Sequence, residues 1–496
     1  MQAQMLRHSV FRRVAADSLP IYSALSGDHA LLYAPRFICV LEERDAPAAL
    51  RHVERLAFEP PRRENVRATS LCGARHAAAR IVKTAREAAR EVTEASRQEF
   101  TPECLTLYVN NQCSMRCRYC YSQPEATMNG TVSPEGVRAA ARLAAGMCAA
   151  RNSPFTLAFH GGGEPTLDPR HVDRLLDIAR EEAGLVGLHP RTYISTNGAV
   201  SEETARWLAV RFDLVGVSCD GPPEVQDRHR PGRDGRPLSE YVGRTMSTLR
   251  RHGRPFHIRA TISRETVYHQ AEIVSYLADR YAPDEIRLEP VYVNPSGEAL
   301  LDVSHAGAFA GGFLAAQRAG EARGLRVTTS ITRPDAVYGP YCNVLRRVLN
   351  LVPGDVATGC FLESRPEGVT RRGVQTGSLD STHGVFRMDA EYIRSLITRC
   401  SERPVGCGDC LCSCQCTFGC PDRCALEASE SSPLREGERG SFRCLVNRML
   451  METMIVEAAD KAWTRTRRGH CQEVRDTRSM LDVAVYRDGQ RDEVRP

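Results

Sequence analysis

Lysine and tryptophan are scarce in this chain. Lys83 and Lys461 are its lysines, and two tryptophans stand among 496 residues. Arginine carries nearly all of the positive charge, yet the net charge is only +5. No basic stripe interleaved with aromatics occurs, so no nucleic-acid partner is expected. No run of about 18 apolar residues is present, and no membrane span is expected. The opening residues, MQAQMLRHSVFRRVAADS, lack the apolar stretch of a secretory signal. These absences imply a cytoplasmic, reducing setting, where abundant cysteine points to metal and not to disulfides. Cysteine is abundant, with 20 in the chain. Apolar residues make up 42%, ample for sizeable cores, and the length suggests about three domains.

Cys113, Cys117 and Cys120 lie in NNQCSMRCRYCYSQ, spaced C-x3-C-x2-C. Three thiolates on one short loop can hold three irons of a cubane and leave the fourth open to a small molecule. An electron-transfer ferredoxin site supplies four cysteines and closes its cluster. Structural zinc sites also close with a fourth ligand, commonly in paired knuckles. The spacing therefore favours an open cluster.

From Leu105 to about Val327, strand and helix patterns alternate. Strands are expected at 105–109, 155–163, 191–198, 214–221, 257–263 and 285–291, with amphipathic helices between them. This rhythm specifies parallel βα units with right-handed connections. The chemical motifs fall at the C-terminal ends of strands, where ligands collect in such sheets. Ahead of this region, residues 1–100 read as a small α+β unit. Short strands surround a turn at Ser26-Gly27-Asp28, a helix begins at Asp45, PPRREN reads as a linker, and 74–99 form an Ala- and Arg-rich helix with a weak apolar face. After it, Pro353-Gly354-Asp355 reads as a hairpin turn. Residues 445–468 read as a helix whose methionines are core, and 470–496 as a charged, loose tail.

The segment CSMRCRYCY, with Tyr119 before its last cysteine, resembles the cluster loop of the radical S-adenosylmethionine (SAM) enzymes. The resemblance implies an α/β fold built on a partial (β/α)6 barrel. It also implies a [4Fe-4S] cluster on Cys113, Cys117 and Cys120 that chelates SAM and cleaves it to a 5′-deoxyadenosyl radical. Gly162-Gly163-Glu164-Pro165 resembles the family's GGEP motif, and Ser195-Thr196-Asn197-Gly198 ends the next strand as TNG does there. By the same resemblance Gly162, Gly163 and Glu164 contact the SAM ammonium. Ser218 contacts its ribose or carboxylate region, and Arg230 its carboxylate. Arg259, on the strand HIRAT, points into the barrel if Ile258 and Ala260 point outward, and is a second candidate for the carboxylate. Ser195, Asn197 and Leu288 belong to the same pocket, with Leu288 or Val291 beside the adenine. An arginine fork suits a carboxylate because it pairs bidentately.

Cys342 and Cys360 bracket the hairpin turn, 18 positions apart, and Cys407-x2-Cys410-x5-Cys416-x3-Cys420 follows, with Cys444 later. With these, residues 328–450 resemble a SPASM domain, a cysteine-rich extension with one or two auxiliary [4Fe-4S] clusters. The match implies Cys342, Cys360 and Cys420 for the first and Cys407, Cys410, Cys416 and Cys444 for the second. Cys400, Cys412, Cys414, Cys424 and Cys471 stay unassigned. The expected organisation is 1–100 (a flank or a leader-peptide grip), 101–327 (radical SAM core), 328–450 (SPASM-type) and 451–496 (helix and tail).

The resemblance implies an enzyme that removes hydrogen from a ribosomally made precursor peptide and closes a C–C, C–O or C–S bond. Its partners would be that peptide and a flavodoxin- or ferredoxin-type reductant. A sulfatase-maturating reaction, oxidising Cys or Ser to formylglycine, is the alternative. It loses weight because Phe361 stands where those enzymes carry an acid after the hairpin cysteine, although Glu363 is near. A non-catalytic iron–sulfur or zinc scaffold is the rival from another class.

Overall fold

The computed structural model describes residues 11–14, 19–58, 73–97, 99–122, 130–291, 301–337, 343–363, 373–401, 407–416, 442–466, 471–476 and 480–486. The expected linker PPRREN and Cys342, Cys420 and Cys424 lie outside them, as do the side chains of Cys400 and Cys471.

The N-terminal part forms β1 (Arg12–Arg13), β2 (Tyr22–Ser26), β3 (His29–Ala34), β4 (Phe37–Glu42), α1 (Ala46–Phe58) and α2 (Gly73–Arg97). Gly27, at φ +61°, makes the expected turn between β2 and β3. The apolar face of α2 is more substantial than its composition predicts. Ala74, Ala77, Ala78, Ile81, Val82 and Ala85 are all buried, because small side chains let the helix lie close on the sheet.

The central part gives β5 (Cys104–Leu107), α3 (Pro134–Ala150), β6 (Thr156–Phe159), α4 (Pro169–Gly184), β7 (Arg191–Thr196), α5 (Glu202–Arg211), β8 (Leu214–Ser218), α6 (Pro223–His229), α7 (Ser239–Arg251), β9 (Phe256–Ile262), α8 (Gln270–Tyr281), β10 (Glu285–Pro290), α9 (Ala306–Glu321) and β11 (Arg326–Thr328). Each of the six expected strands is present. Helices α3, α4 and α5 start on side-chain caps: Ser133 accepts from Gly136 N, Asp168 from His171 N and Ser201 from Thr204 N. Strands β5 to β11 stand side by side in chain order, all parallel.

Four further strands extend this sheet beyond β5: β12 (Val348–Val352), β13 (Val356–Thr358), β14 (Gln375–Asp380) and β15 (Val385–Met388). The hairpin expected at Pro353-Gly354-Asp355 joins β12 and β13. Its first strand pairs parallel with β5, so the cysteine-rich region continues the main sheet. Asp355 fastens the junction, accepting from Ser133 N at 2.9 Å and Ser133 Oγ at 2.6 Å. The result is one mixed, mostly parallel sheet of 11 strands.

The C-terminal expectation needs correction. After the helix Phe442–Arg465, the tail forms β16 (Cys471–Arg475) and β17 (Asp482–Tyr486). Strand β17 pairs parallel with β4, and β16 pairs with β17, giving the order β1-β2-β3-β4-β17-β16. The N-terminal unit is therefore completed by the end of the chain. Ala484 and Tyr486 pack toward α1 and α2, while Val483 and Val485 pack toward the 442–465 helix. Both faces of the strand are covered, which is why Val483, Ala484, Val485 and Tyr486 are buried despite their charged neighbours. Among the described residues, no helix is long and apolar enough to cross a membrane.

Candidate active site at the cysteine loop

The loop after β5 carries Cys113, Cys117 and Cys120, and a second segment of chain fixes its shape. Arg116 N donates to Pro231 O at 2.9 Å, Arg118 N to His229 O at 3.0 Å, and Arg233 N to Ser114 O at 3.1 Å. Met115 bridges Gly232. The stretch His229–Arg233, at the end of α6 and just beyond it, is thus the splint of the cysteine loop. The turn Cys117–Cys120 closes with Cys120 N donating to Cys117 O.

Beneath the loop lies a buried ionic knot. Asp220 is fully buried and accepts from Arg230 Nε at 3.0 Å, Thr261 N at 2.9 Å and the Tyr119 hydroxyl. His229 Nδ1 stands 3.3 Å from the same carboxylate. Burial alone would raise the Asp220 pKa, but Arg230, His229 and Tyr119 outweigh it and hold the carboxyl below its usual range. Arg230 stacks on the Tyr119 ring, 5.3 Å from its centroid, and its Nη1 lies 4.0 Å from Cys117 Sγ. Arg230 is thus largely committed to Asp220, Thr261 and Tyr119 and is not a free fork for a ligand carboxylate.

Glu164 is committed in the same way. Its Oε1 accepts from Thr166 N, Thr166 Oγ1 and Thr196 Oγ1, and its Oε2 from Asn197 N. Its own carbonyl accepts from Asn110 Nδ2. The carboxylate ties the ends of β6 and β7 together beside the loop, a structural post that leaves little for a ligand. Burial pushes its pKa up despite these donors. Asn197 reaches across: Nδ2 lies 3.0 Å from Ser114 Oγ and 3.6 Å from Cys113 Sγ. Gly161 and Gly162 adopt φ +80° and +65°. Gly163 has no room for a side chain, because a Cβ there would overlap the Gln112 carbonyl and Asn110 Oδ1.

Burial pushes the Cys113 thiol up to about 11, and Cys117 up to about 12 against the pull of Arg230. Such thiols ionise when a metal ion supplies the compensating charge. Three soft donors converging on one loop, with Asn197 beside them, fit an iron–sulfur cluster. No three His, Cys, Asp or Glu side chains among the described residues close around a single-ion site. Thiolates around a cubane stand wider apart, since the cluster itself fills the space.

Alternation along the strands decides the remaining expectations. Ile258, Ala260, Ile286 and Leu288 are fully buried against the helices. Leu288 is therefore core, on the face opposite the proposed pocket, and lining an adenine is not its position. Arg259 has the opposite parity and is exposed on the other face. Ser218 pairs with Arg259 across β8 and β9, and Ser195 lies opposite Gly216 of β8. Sequence reasoning missed Asp220, Tyr193, His160, His257 and Arg287. The last two share the parity of Arg259, and the repeated Ile-Arg of HIRAT and EIRLEP was the available signal.

Tyr193 stacks on His257 with ring centroids 5.6 Å apart, and its hydroxyl lies 3.4 Å from His257 Nε2. Burial, Arg259, His257 and Arg287 lower His160 to about 4 from 6.5. Burial, Arg287 and Arg259 lower His257 to about 4, Glu285 and Asp284 opposing them. The unfolded chain takes up these protons near pH 6.5 and the folded chain only near 4. Stability from both imidazoles is therefore full above about 6.5 and lost as pH falls toward 4. Urea unfolding should show a lower midpoint at about pH 5 than at about pH 7, and a His257→Gln variant should reduce that difference.

In the second cysteine field, Cys444 feels Cys410, Cys416 and Cys407, so these four thiols are gathered. Cys360 lies apart, packed with Tyr108 and Val344 and close to Tyr121. Cys412 and Cys414 are buried; Cys412 packs among Tyr22, Tyr33 and Met451, and both thiols raise the pKa of Tyr33. Cys412 also hydrogen-bonds Cys410, whose pKa falls to about 6. The N-terminal sheet clasps this segment: Tyr22 donates to Cys410 O at 2.8 Å and Gln415 Nε2 to Tyr33 Oη at 2.8 Å.

Comparison with known proteins places this geometry. The profile of the Radical SAM superfamily matches residues 107–276. A cysteine-type anaerobic sulfatase-maturating enzyme of Clostridium perfringens is 24% identical over 173 residues, 34% of this chain and 46% of that protein. An uncharacterised protein of Methanocaldococcus jannaschii is 25% identical over 174 residues, 35% of this chain and 57% of its own. The chain thus spans about half the length of the curated relatives it matches. The solved structure of native anSMEcpe with bound AdoMet superposes with a TM-score of 0.57 at 16% identity, over 72% of this chain and 99% of the other, a likeness of fold. The same protein was also solved with AdoMet and the Cp18Cys peptide. On its cysteine loop, its parallel sheet and these matches, residues 107–276 fall in the radical SAM superfamily, and the chain is distantly similar to the anaerobic sulfatase-maturating enzymes.

Proposed function

We propose that this chain is a peptide-modifying radical SAM enzyme that closes a C–C, C–O or C–S bond within a ribosomally made precursor. The cluster held by Cys113, Cys117 and Cys120 would, with SAM bound, supply the 5′-deoxyadenosyl radical. Forming the new bond removes two hydrogens from the peptide. One would leave as a hydrogen atom to the radical that the cofactor supplies, and the other as a proton, its electron taken up by an auxiliary cluster that would serve as the oxidant. Cys407, Cys410, Cys416 and Cys444 would hold that acceptor, with Cys342, Cys360 and Cys420 as ligands of a further one.

In this reading Gly162, Ser195 and Ser218 meet SAM. Glu164, Asn197, Asp220 and Arg230 act one step removed, fixing the loop that presents the thiols. The observation that carries the reading is that splinted loop: three thiols at the C-terminal mouth of β5, inside the segment that matches the superfamily. The chemistry belongs to the cofactor, and the chain contributes position and shielding.

The reading is tested by supplying SAM and a strong reductant to anaerobically reconstituted protein. Wild type should release 5′-deoxyadenosine and methionine. Cys117→Ala should lower that yield by at least about 100-fold, equivalent to about 2.7 kcal/mol of barrier, and still keep the iron signal of the 407–444 field. Absence of SAM cleavage by wild type sinks the reading. Formylglycine formation in a sulfatase-type Cys peptide would replace bond closure with the maturation reaction, for which the relatives' names speak; Phe361 after Cys360 speaks against it.

A further inference from the structure

The open face of the large sheet carries a charge imbalance that SAM binding leaves unused. Parallel register sets Arg259 of β9 beside Arg287 of β10, and like charges on neighbouring strands repel. Arg287 is partly answered, since Nη2 donates to Glu285 Oε1 at 3.2 Å. Glu285 is shared, because Thr328 Oγ1 also donates to it at 2.6 Å. Arg259 is exposed on an interior strand, and its guanidinium makes no hydrogen bond or ion pair among the described residues. The nearby imidazoles of His160 and His257 are neutral at ordinary pH and neither add to nor relieve the charge.

Beside Arg287, at the β11 edge, a cleft of about 270 Å³ opens between the sheet, α9 and the 442–465 helix. Arg287, Arg326 and Arg333 line it against the carboxylates of Glu285 and Asp335, so positive charge is in excess. Its wall also holds Gln317, which is only 5% exposed. The Gln317 amide nitrogen donates to Val327 O at 3.3 Å, while Oε1 is buried with no partner among the described residues. A buried acceptor without a donor is costly, and a ligand N–H would relieve it.

We propose that this cleft and the adjoining Arg259–Arg287 pair form a subsite for an acidic residue of a peptide substrate. The carboxylate would be received by the guanidiniums, and a backbone N–H of the peptide would donate to Gln317 Oε1. An Arg fork is matched to a carboxylate and discriminates against the isosteric amide. The inference rests on the peptide-modifying reading and adds to it the chemistry of the substrate: a carboxylate close in sequence to the modified residue. SAM carries a carboxylate of its own, so the test must separate the two sources.

N-acetyl-Gly-Glu-Gly-amide and its Gln counterpart are titrated into reconstituted, SAM-saturated full-length protein, followed by ligand-observed NMR. The Glu peptide should bind at least about tenfold more tightly than the Gln peptide, about 1.4 kcal/mol. Arg287→Gln should abolish the preference, Arg287→Lys should retain part of it, and SAM affinity should stay within about twofold in both. Equal binding of the two peptides, or no binding of either, overturns the proposal. So does displacement by added SAM of the Glu peptide bound to SAM-free protein, or a fall in SAM affinity in Arg287→Gln as large as the fall for the peptide; either result assigns the pair to SAM. Failure of the peptide-modifying reading is seen separately, as absence of SAM cleavage by the wild-type protein.

Discussion

Asp220→Ala should destabilise the protein by about 3–5 kcal/mol, the cost of stranding one partner of a buried ion pair. The substitution removes an acceptor shared by Arg230 Nε, Thr261 N and the Tyr119 hydroxyl. Arg230 is only 8% exposed and would keep only Thr261 Oγ1, the Tyr119 ring face and the distant Cys117 Sγ. A buried guanidinium without a carboxylate cannot recover its hydration without opening the structure. The splint at 229–233 should loosen with it, so iron retained on the 113–120 loop should fall in parallel. Urea unfolding measures the first effect and iron per chain the second. Pairing Asp220→Ala with Arg230→Met should restore part of the stability, since it removes the stranded charge. A loss below about 1 kcal/mol for Asp220→Ala would refute the role assigned to the knot.

Gly163→Ala should be at least as damaging to the loop, through sterics alone. The added methyl would overlap the Gln112 carbonyl oxygen, the Gln112 nitrogen and Asn110 Oδ1, and two of these are backbone atoms that cannot rotate away. Overpacking a tight site commonly costs about 1–3 kcal/mol where side chains can yield; here the backbone next to Cys113 must move. That carbonyl also accepts from Glu164 N at 2.6 Å, so the displacement breaks the strap between the glycine turn and the loop. The expected result is loss of the SAM-responsive iron–sulfur signal in electron paramagnetic resonance, with signal from the 407–444 field retained. An unchanged SAM response would show that the loop tolerates the shift and that the tight approach is incidental.

The central strands were legible because their signals are local. LTLYV, FTLAF and HIRAT are short β-rich runs closed by turn residues, and each strand appears within a few residues of its expected place. Period-2 alternation correctly turned Arg259 away from Ile258 and Ala260. The same rule applied to EIRLEP would have excluded Leu288 from the pocket and brought in Arg287. Arg230 and Glu164 illustrate a different limit. A motif marks a residue as important without saying whether it touches the ligand or holds the residue that does. Their partners, Asp220 for one and Thr196 and Asn197 for the other, come from separate strand ends.

By itself the sequence determined the parallel α/β core, the three-thiol loop and the cysteine-rich extension, because periodicity and ligand spacing are properties of neighbouring residues. Only the tertiary structure decided that the tail closes the N-terminal sheet, since β17 pairs with β4 across more than 400 residues of chain. It alone decided that the hairpin at Asp355 lengthens the main sheet, and that a buried Asp–Arg–Tyr knot supports the cysteine loop. Long-range pairing and buried charge depend on which surfaces meet, and a linear pattern does not carry that information.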